Sequence, residues 1–164
     1  MSQTVSAISC RQFEARDLRA LYAIEEACFE PPVRFSRSLM RSLAFDPECR
    51  TWMGVADHVC AGFAIVSLRS QEALPDTATD PENAYIWTVE VLPVFRRMGI
   101  ARQLLLRVEE SVREAGCAAV ELHVSERNHD AIALYANAGY QAFGVERDYY
   151  GPEGDGLRYR KLLA

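Results

Sequence analysis

Apolar positions recur at helical spacing in four stretches of the chain and alternate, or run together, in most of the segments between them. Over residues 14–29, Leu18, Leu21, Tyr22, Ile24 and Cys28 fall three or four apart, which predicts a helix. Two prolines in "FEPPVRF" break that pattern, and Ser36 then caps a short helix over 36–45. Ile100, Leu104, Val108 and Val112 form one stripe of the longest predicted helix, 99–115, with Gly116 placed to end it. A fourth helix over 128–139 is capped by Asn128 and closed by Gly139. Strands are predicted at 5–12, in a hairpin over 50–68 with its turn near Asp57 and His58, and at 84–92, 118–125, 140–150 and 156–163. "GPEGDG" joins the last two as a turn, and 71–83 reads as a solvated loop. The order βααβββαβαββ, with no repeat and no linker, predicts one α/β domain over 1–164, a mixed sheet carrying about four helices.

The bulk numbers narrow the class. A chain of 164 residues with 49% hydrophobic content has the size and composition of one soluble domain with a sizeable core. Its net charge of −5 argues against general nucleic-acid binding, which needs a basic surface. The longest apolar run, "CAGFAIVSL", is far short of the ~20 residues that span a bilayer. The N-terminal "MSQTVSAISCRQFEARD" holds no signal-peptide core, so a cytoplasmic protein without membrane attachment is expected. The five cysteines are scattered and form no Cys-x-x-Cys, which predicts reduced, mostly buried thiols and no metal site.

Candidate chemistry begins at "FRRMGIARQLL", residues 95–105. A helix start leaves backbone N–H groups unpaired and carries partial positive charge, a natural seat for phosphate oxygens. Gly99 and the small Ala101 allow close approach, though a basic turn that merely leads into a helix fits the local pattern equally. Neither a P-loop nor a G-x-G-x-x-G dinucleotide fingerprint is present. In the strand before it, alternation sets Tyr85, Trp87, Val89 and Val91 on one face and Ile86, Thr88 and Glu90 on the other. The 118–125 strand sets Val120, Leu122 and Val124 toward a core and Glu121, His123 and Ser125 toward water or a cleft.

Taken together, "VEVLPVFRRMGIARQLL" resembles the acetyl-CoA-binding core of the GNAT superfamily, whose [QR]-x-x-G-x-[GA] pattern reads Arg96-x-x-Gly99-x-Ala101 here. "ELHVSERNHDAIALYANAGY" resembles the second half of that core, and the match runs from about Tyr85 to Tyr140. Within the superfamily, "PPVRF", "YIWTVEVLPVFRR" and "RDYYGPEGDGLRYRKLL" are similar to protein N-terminal acetyltransferases of the ribosomal-protein-alanine and Met-type classes. The pair Tyr85 and His123 leans toward the Met-type enzymes, whereas Glu30 departs from the family pattern in the first loop.

The resemblance implies a mostly antiparallel sheet, acetyl-CoA as cosubstrate, no metal, and a protein or peptide N-terminus as acceptor, in a monomer or homodimer. It also implies that Val89 and Val91 pair with the pantetheine arm and that the loop of Arg96, Arg97, Met98, Gly99, Ile100, Ala101 and Arg102 holds the diphosphate. Asn128 contacts the arm, and Tyr135, seven residues on and on the same helix face, donates a proton to the leaving thiolate. Pro32, Val33, Phe35, Trp87, Tyr149 and Tyr150 form the peptide slot. His123 with Tyr85 is the candidate base, and backbone N–H groups of the central strand stabilise the oxyanion. Glu90 is set aside as base because alternation aims it away from Tyr85, and His58 and His129 read as surface residues. Acetylation of a small amine such as a polyamine or amino sugar, acetylation of a lysine, and a non-catalytic acyl-CoA-binding module are the alternatives.

Overall fold

Helical stripes and strand alternation are realised in the predicted order. The structure, a computed structural model, describes residues 7–69, 83–152 and 154–163. The elements are β1 (Ile8–Gln12), α1 (Leu18–Cys28), α2 (Arg37–Phe45), β2 (Cys49–Ala56), β3 (Val59–Ser67) and β4 (Ala84–Val91). There follow α3 (Ile100–Glu114), β5 (Ala119–Ser125), α4 (His129–Asn137), β6 (Gln141–Glu146) and β7 (Gly156–Leu162). Among the described residues these make one seven-stranded sheet in the order β1-β2-β3-β4-β5-β7-β6. Every neighbouring pair is antiparallel except β4 and β5. Residues 5 and 6 of the first predicted strand, and 71–82 of the predicted loop, lie outside the described residues.

Local chemistry sets the boundaries. Ser36 Oγ accepts the Leu39 N–H at 3.1 Å and starts α2. Asp57 and His58 both take left-handed φ, 49° and 67°, which matches the twist of a two-residue hairpin between β2 and β3. His58 and His129 are exposed, as expected. All five cysteines are free thiols; Cys49 is buried and the others are half-buried. No helix among the described residues is long and apolar enough to cross a membrane.

The sheet carries a core on each face. On one, Ile100, Leu104, Val108 and Val112 of α3 pack on Ala64, Val66, Ile86, Val120 and Leu122. On the other, Leu21 and Ile24 of α1 and Met40 and Leu43 of α2 pack on Met53, Phe63 and Ile65. A Cβ on Gly54 would lie 2.6 Å from Ile100 Cγ2, so this glycine lets the first turn of α3 rest directly on β2.

Two departures from simple alternation shape the middle of the sheet. Ile65 pairs with Thr88 and Val66 with Ile86, which leaves Trp87 as an extra residue on β4. Cross-strand partners share a face, so Thr88 and Glu90 join Phe63 and Ile65 on the α1 side, while Val89 and Val91 turn to the α3 side. The expected grouping of Val89 and Val91 with Tyr85 and Trp87 is therefore overturned, and so is the reason for setting Glu90 aside. The second departure is that β6 ends at Glu146, short of the predicted strand over 140–150. Asp148 adopts φ 55° and its N–H donates to Asp155 Oδ1 at 3.0 Å, so Tyr149 and Tyr150 leave the sheet in a turn.

Candidate active site

Strands β4 and β5 pair only at Ala84–Val120, Tyr85–Glu121 and Ile86–Leu122, and then part. The bulge at Trp87 bends β4 away at that point. Leu92 N–H donates to Ala61 O at 2.8 Å, so by antiparallel alternation the backbone groups of Val89 and Val91 face away from β3, into the gap. A cleft opens there. Its walls are Trp87, Thr88 and Val89 of β4, Phe29, Val33 and Phe35 at the end of α1 and in the loop after it, and Asn128, Ala131 and Tyr135 of the α4 turn and helix.

At the inner end, Tyr85 Oη and His123 Nδ1 are 2.8 Å apart, and His123 Nε2 lies 2.9 Å from Glu146 Oε1. Tyr149 stacks on the imidazole at 4.1 Å between centroids and 7°, and its hydroxyl is 3.2 Å from that of Tyr85. The His123 side chain is 2% exposed. A carboxylate only accepts, so the geometry sets Nε2 as the protonated nitrogen and Nδ1 as the acceptor of the Tyr85 hydroxyl. Burial lowers the His123 pKa, and the Glu146 carboxylate partly opposes that shift. The imidazole is therefore neutral at neutral pH, with its basic nitrogen held by Tyr85. Burial, with help from the neighbouring Tyr149, pushes the Tyr85 phenol well up.

Beyond β4, and outside the residues that line the cleft, α3 starts without a side-chain cap and without an acid in its first turn. Arg97 and Gly99 both take left-handed φ, 62° and 86°, and, its own chain neighbours aside, no atom of the described residues lies within 4 Å of where a Gly99 Cβ would sit. Open space thus stands over unpaired helix-start amides, a pattern that accepts anionic oxygens. Arg96 folds back instead, its Nε donating to Val91 O at 3.1 Å. Asn128 Oδ1 accepts the Ala131 N–H at 3.2 Å, so its cap is internal and its amide NH₂ keeps both donors for a ligand. Tyr135 lines the cleft, and burial holds its phenol protonated.

Of the residues singled out in the sequence, Val33, Phe35, Trp87, Val89, His123, Asn128, Tyr135 and Tyr150 line the cleft. Tyr85 and Tyr149 back His123, and Pro32 is exposed and does not line the cleft. The structure adds Glu146, which sequence reasoning passed over because one acid in an alternating strand looks like any solvated face. It also adds Glu25, which lines the cleft although its helix position reads as core, and the buried Glu90. An acid inside an otherwise apolar helix stripe was the available signal for Glu25.

A model of the acetyltransferase (GNAT) family matches residues 18–140. Over 151 residues, 92% of either chain, the sequence is 27% identical to ribosomal protein bS18-alanine N-acetyltransferase of Escherichia coli. The crystal structure of the E. coli ribosomal-protein-S18-alanine N-acetyltransferase is similar, with a TM-score of 0.78 at 22% identity over 96% of this chain and 95% of that one. So is Arabidopsis thaliana NAA60 in complex with acetyl-CoA, at a TM-score of 0.80 and 22% identity over 96% and 99%.

Proposed function

The chain belongs to the acetyltransferase (GNAT) family, and from that premise we propose that it transfers the acetyl group of acetyl-CoA to the α-amino group of a protein N-terminus. The observation that carries this reading is a cleft lined by His123, with its Tyr85–His123–Glu146 chain in place, on a fold that leaves the start of α3 uncapped. The open space over Gly99 and the outward backbone of Val89 and Val91 fit acetyl-CoA. The amides of Arg97 to Arg102 hold its diphosphate, Val89, Val91 and Asn128 its arm, and the bound molecule supplies an activated acyl thioester.

The rest is done by side chains of this protein. An α-ammonium has an unperturbed pKa of about 7.7–8.0, so freeing its lone pair at neutral pH costs only ~1 kcal/mol. That proton passes through one water to Tyr85 Oη, which hands its own to His123 Nδ1. The imidazolium that forms lies between Tyr85 and the Glu146 carboxylate, which holds it in place. Tyr135 keeps its proton at working pH and delivers it to the departing sulfur. Phe35, Trp87 and Tyr150 form walls that take an extended, uncharged backbone. The relative named for ribosomal protein bS18 supports a protein acceptor.

The test is an acetylation assay on a peptide library that varies the first two residues, with the acetyl group located by mass spectrometry. Release of CoA with the label on the α-nitrogen is the expected result. Label on lysine, on a small amine only, or no turnover with any peptide rejects the proposed acceptor.

A further inference from the structure

One buried acidic cluster has no part in that mechanism. Glu25 of α1 and Glu90 of β4 are 1% and 3% exposed, and their carboxyls are close enough for Glu25 to push the Glu90 pKa up. Their hydrogen bonds reach opposite walls of the cleft. Glu25 Oε1 accepts the N–H of Phe35, in the α1–α2 loop, at 2.9 Å. Glu90 Oε2 accepts the hydroxyl of Thr88, in the β4 bulge, at 2.7 Å. Phe35 meets Trp87, the bulged residue, edge to face at 6.3 Å between centroids. The two oxygens left over, Glu25 Oε2 and Glu90 Oε1, are buried without a hydrogen-bond partner among the described residues, a lack that one proton shared between the two carboxyls would remove. None of the salt bridges among the described residues includes either acid.

We propose that the Glu25–Glu90 pair, sharing one proton, is the positioning device of the acceptor slot: it ties the Phe35 loop to the Trp87–Thr88 bulge and sets the width at which the acceptor enters. The assignment of that slot to a peptide rests on the function proposed above. Two buried carboxylates in contact cannot both stay charged, so the proton is part of the joint. Burial, and then the neighbouring Glu25 carboxyl, push the Glu90 carboxyl well above the usual carboxylate range, which favours its protonated form. The titratable groups facing Glu90 are Cys28 of α1 and Tyr135 of α4, both themselves held protonated by burial. Arg96 reaches Cys28 Sγ, at 3.9 Å. As pH rises and the proton leaves, the two buried carboxylates repel and the hold on Phe35 loosens.

Two readouts test this: the hydrogen-exchange protection factor of the Phe35 amide, and the peptide KM beside the CoA Kd. Glu25→Ala is expected to remove Phe35 protection and raise the peptide KM ~10-fold while CoA Kd moves less than ~2-fold, the scale of one lost buried hydrogen bond. Glu25→Gln is expected to restore both, since its amide oxygen still accepts from Phe35 and its NH₂ donates to Glu90. Glu90→Gln is expected to remove the loss of Phe35 protection that the wild type shows as pH rises, because its amide cannot ionise. Unchanged Phe35 exchange in Glu25→Ala, or a KM that rises only in step with CoA Kd, overturns the proposal. Should Glu25→Ala fail to fold, the wild type and Glu90→Gln decide: Phe35 protection that is flat with pH in the wild type overturns it. Exchange needs no substrate, so a wild type inactive on every peptide refutes the acceptor assignment and still leaves the joint to be judged.

Discussion

The start of α3 and the surroundings of His123 are built on opposite principles. At the α3 end the backbone is left open: no side chain caps the helix, no acid sits in its first turn, and, its chain neighbours aside, no described residue fills the space over Gly99. At the β5 end both nitrogens of His123 have partners, Tyr149 covers the ring, and the side chain is almost fully buried. Binding an anion needs donors left unfilled until the ligand arrives. Moving a proton needs a chain already aligned, because each donor and acceptor must be in reach before the step begins. One strand serves both ends, since the bulge in β4 separates the part that pairs with β5 from the part that does not.

Variants at each end should therefore fail in different ways. The largest effect is expected from His123→Ala, a fall in kcat of ~100-fold or more with CoA Kd unchanged, the usual worth of a positioned base. Calorimetry and steady-state rates on one preparation check it; a matching loss of CoA affinity would merge the two ends and break the contrast. Gly99→Asn comes next. Asparagine tolerates left-handed φ, so the fold survives, yet its side chain occupies the open space; CoA Kd should rise ~10-fold or more with Tm nearly constant.

Glu146→Gln should lower kcat ~10-fold, a weaker version of the same base. Its pH profile sharpens the point. Glu146 partly offsets the downward shift that burial imposes on His123, so its removal moves the acid limb of kcat/KM to lower pH. A limb that stays put or moves up would show that His123 does not titrate in that limb. Asn128→Ala removes an internal cap and should cost ~1 kcal/mol of stability, read as a lower Tm, with a smaller change in CoA Kd. Arg96→Ala is expected to have the smallest effect on CoA Kd, under ~3-fold, because its guanidinium braces Val91 O while the helix-start amides do the holding. An Arg96→Ala loss as large as that of Gly99→Asn would refute the open-backbone account of the α3 end.

Much of this was legible in the chain. The helix stripes, the Asn128 and Ser36 caps, the hairpin turn at Asp57–His58 and the element order follow from local spacing and turn chemistry. Each depends on residues no more than a few positions apart, and the structure reproduces them. The pairing of Tyr85 with His123 was reachable because both fall on strands that become neighbours in a mixed sheet. Glu146 was not. Its role depends on β6 and β7 folding back beside β5, and the chain between Glu146 and His123 holds a whole helix.

By itself, then, the sequence determined the elements, their order, the glycine-marked helix start and the family core, because these rest on periodicity and local backbone preference. Only the tertiary structure decided which faces those elements show each other. A single extra residue at Trp87 inverted the strand beyond it, brought Glu90 beneath α1 and opened the gap between β4 and β5. Strand alternation has a period of two, so one bulge reverses every later side chain. Cross-strand register fixes where that bulge falls, and register is a property of two strands, which neither strand's residues state alone.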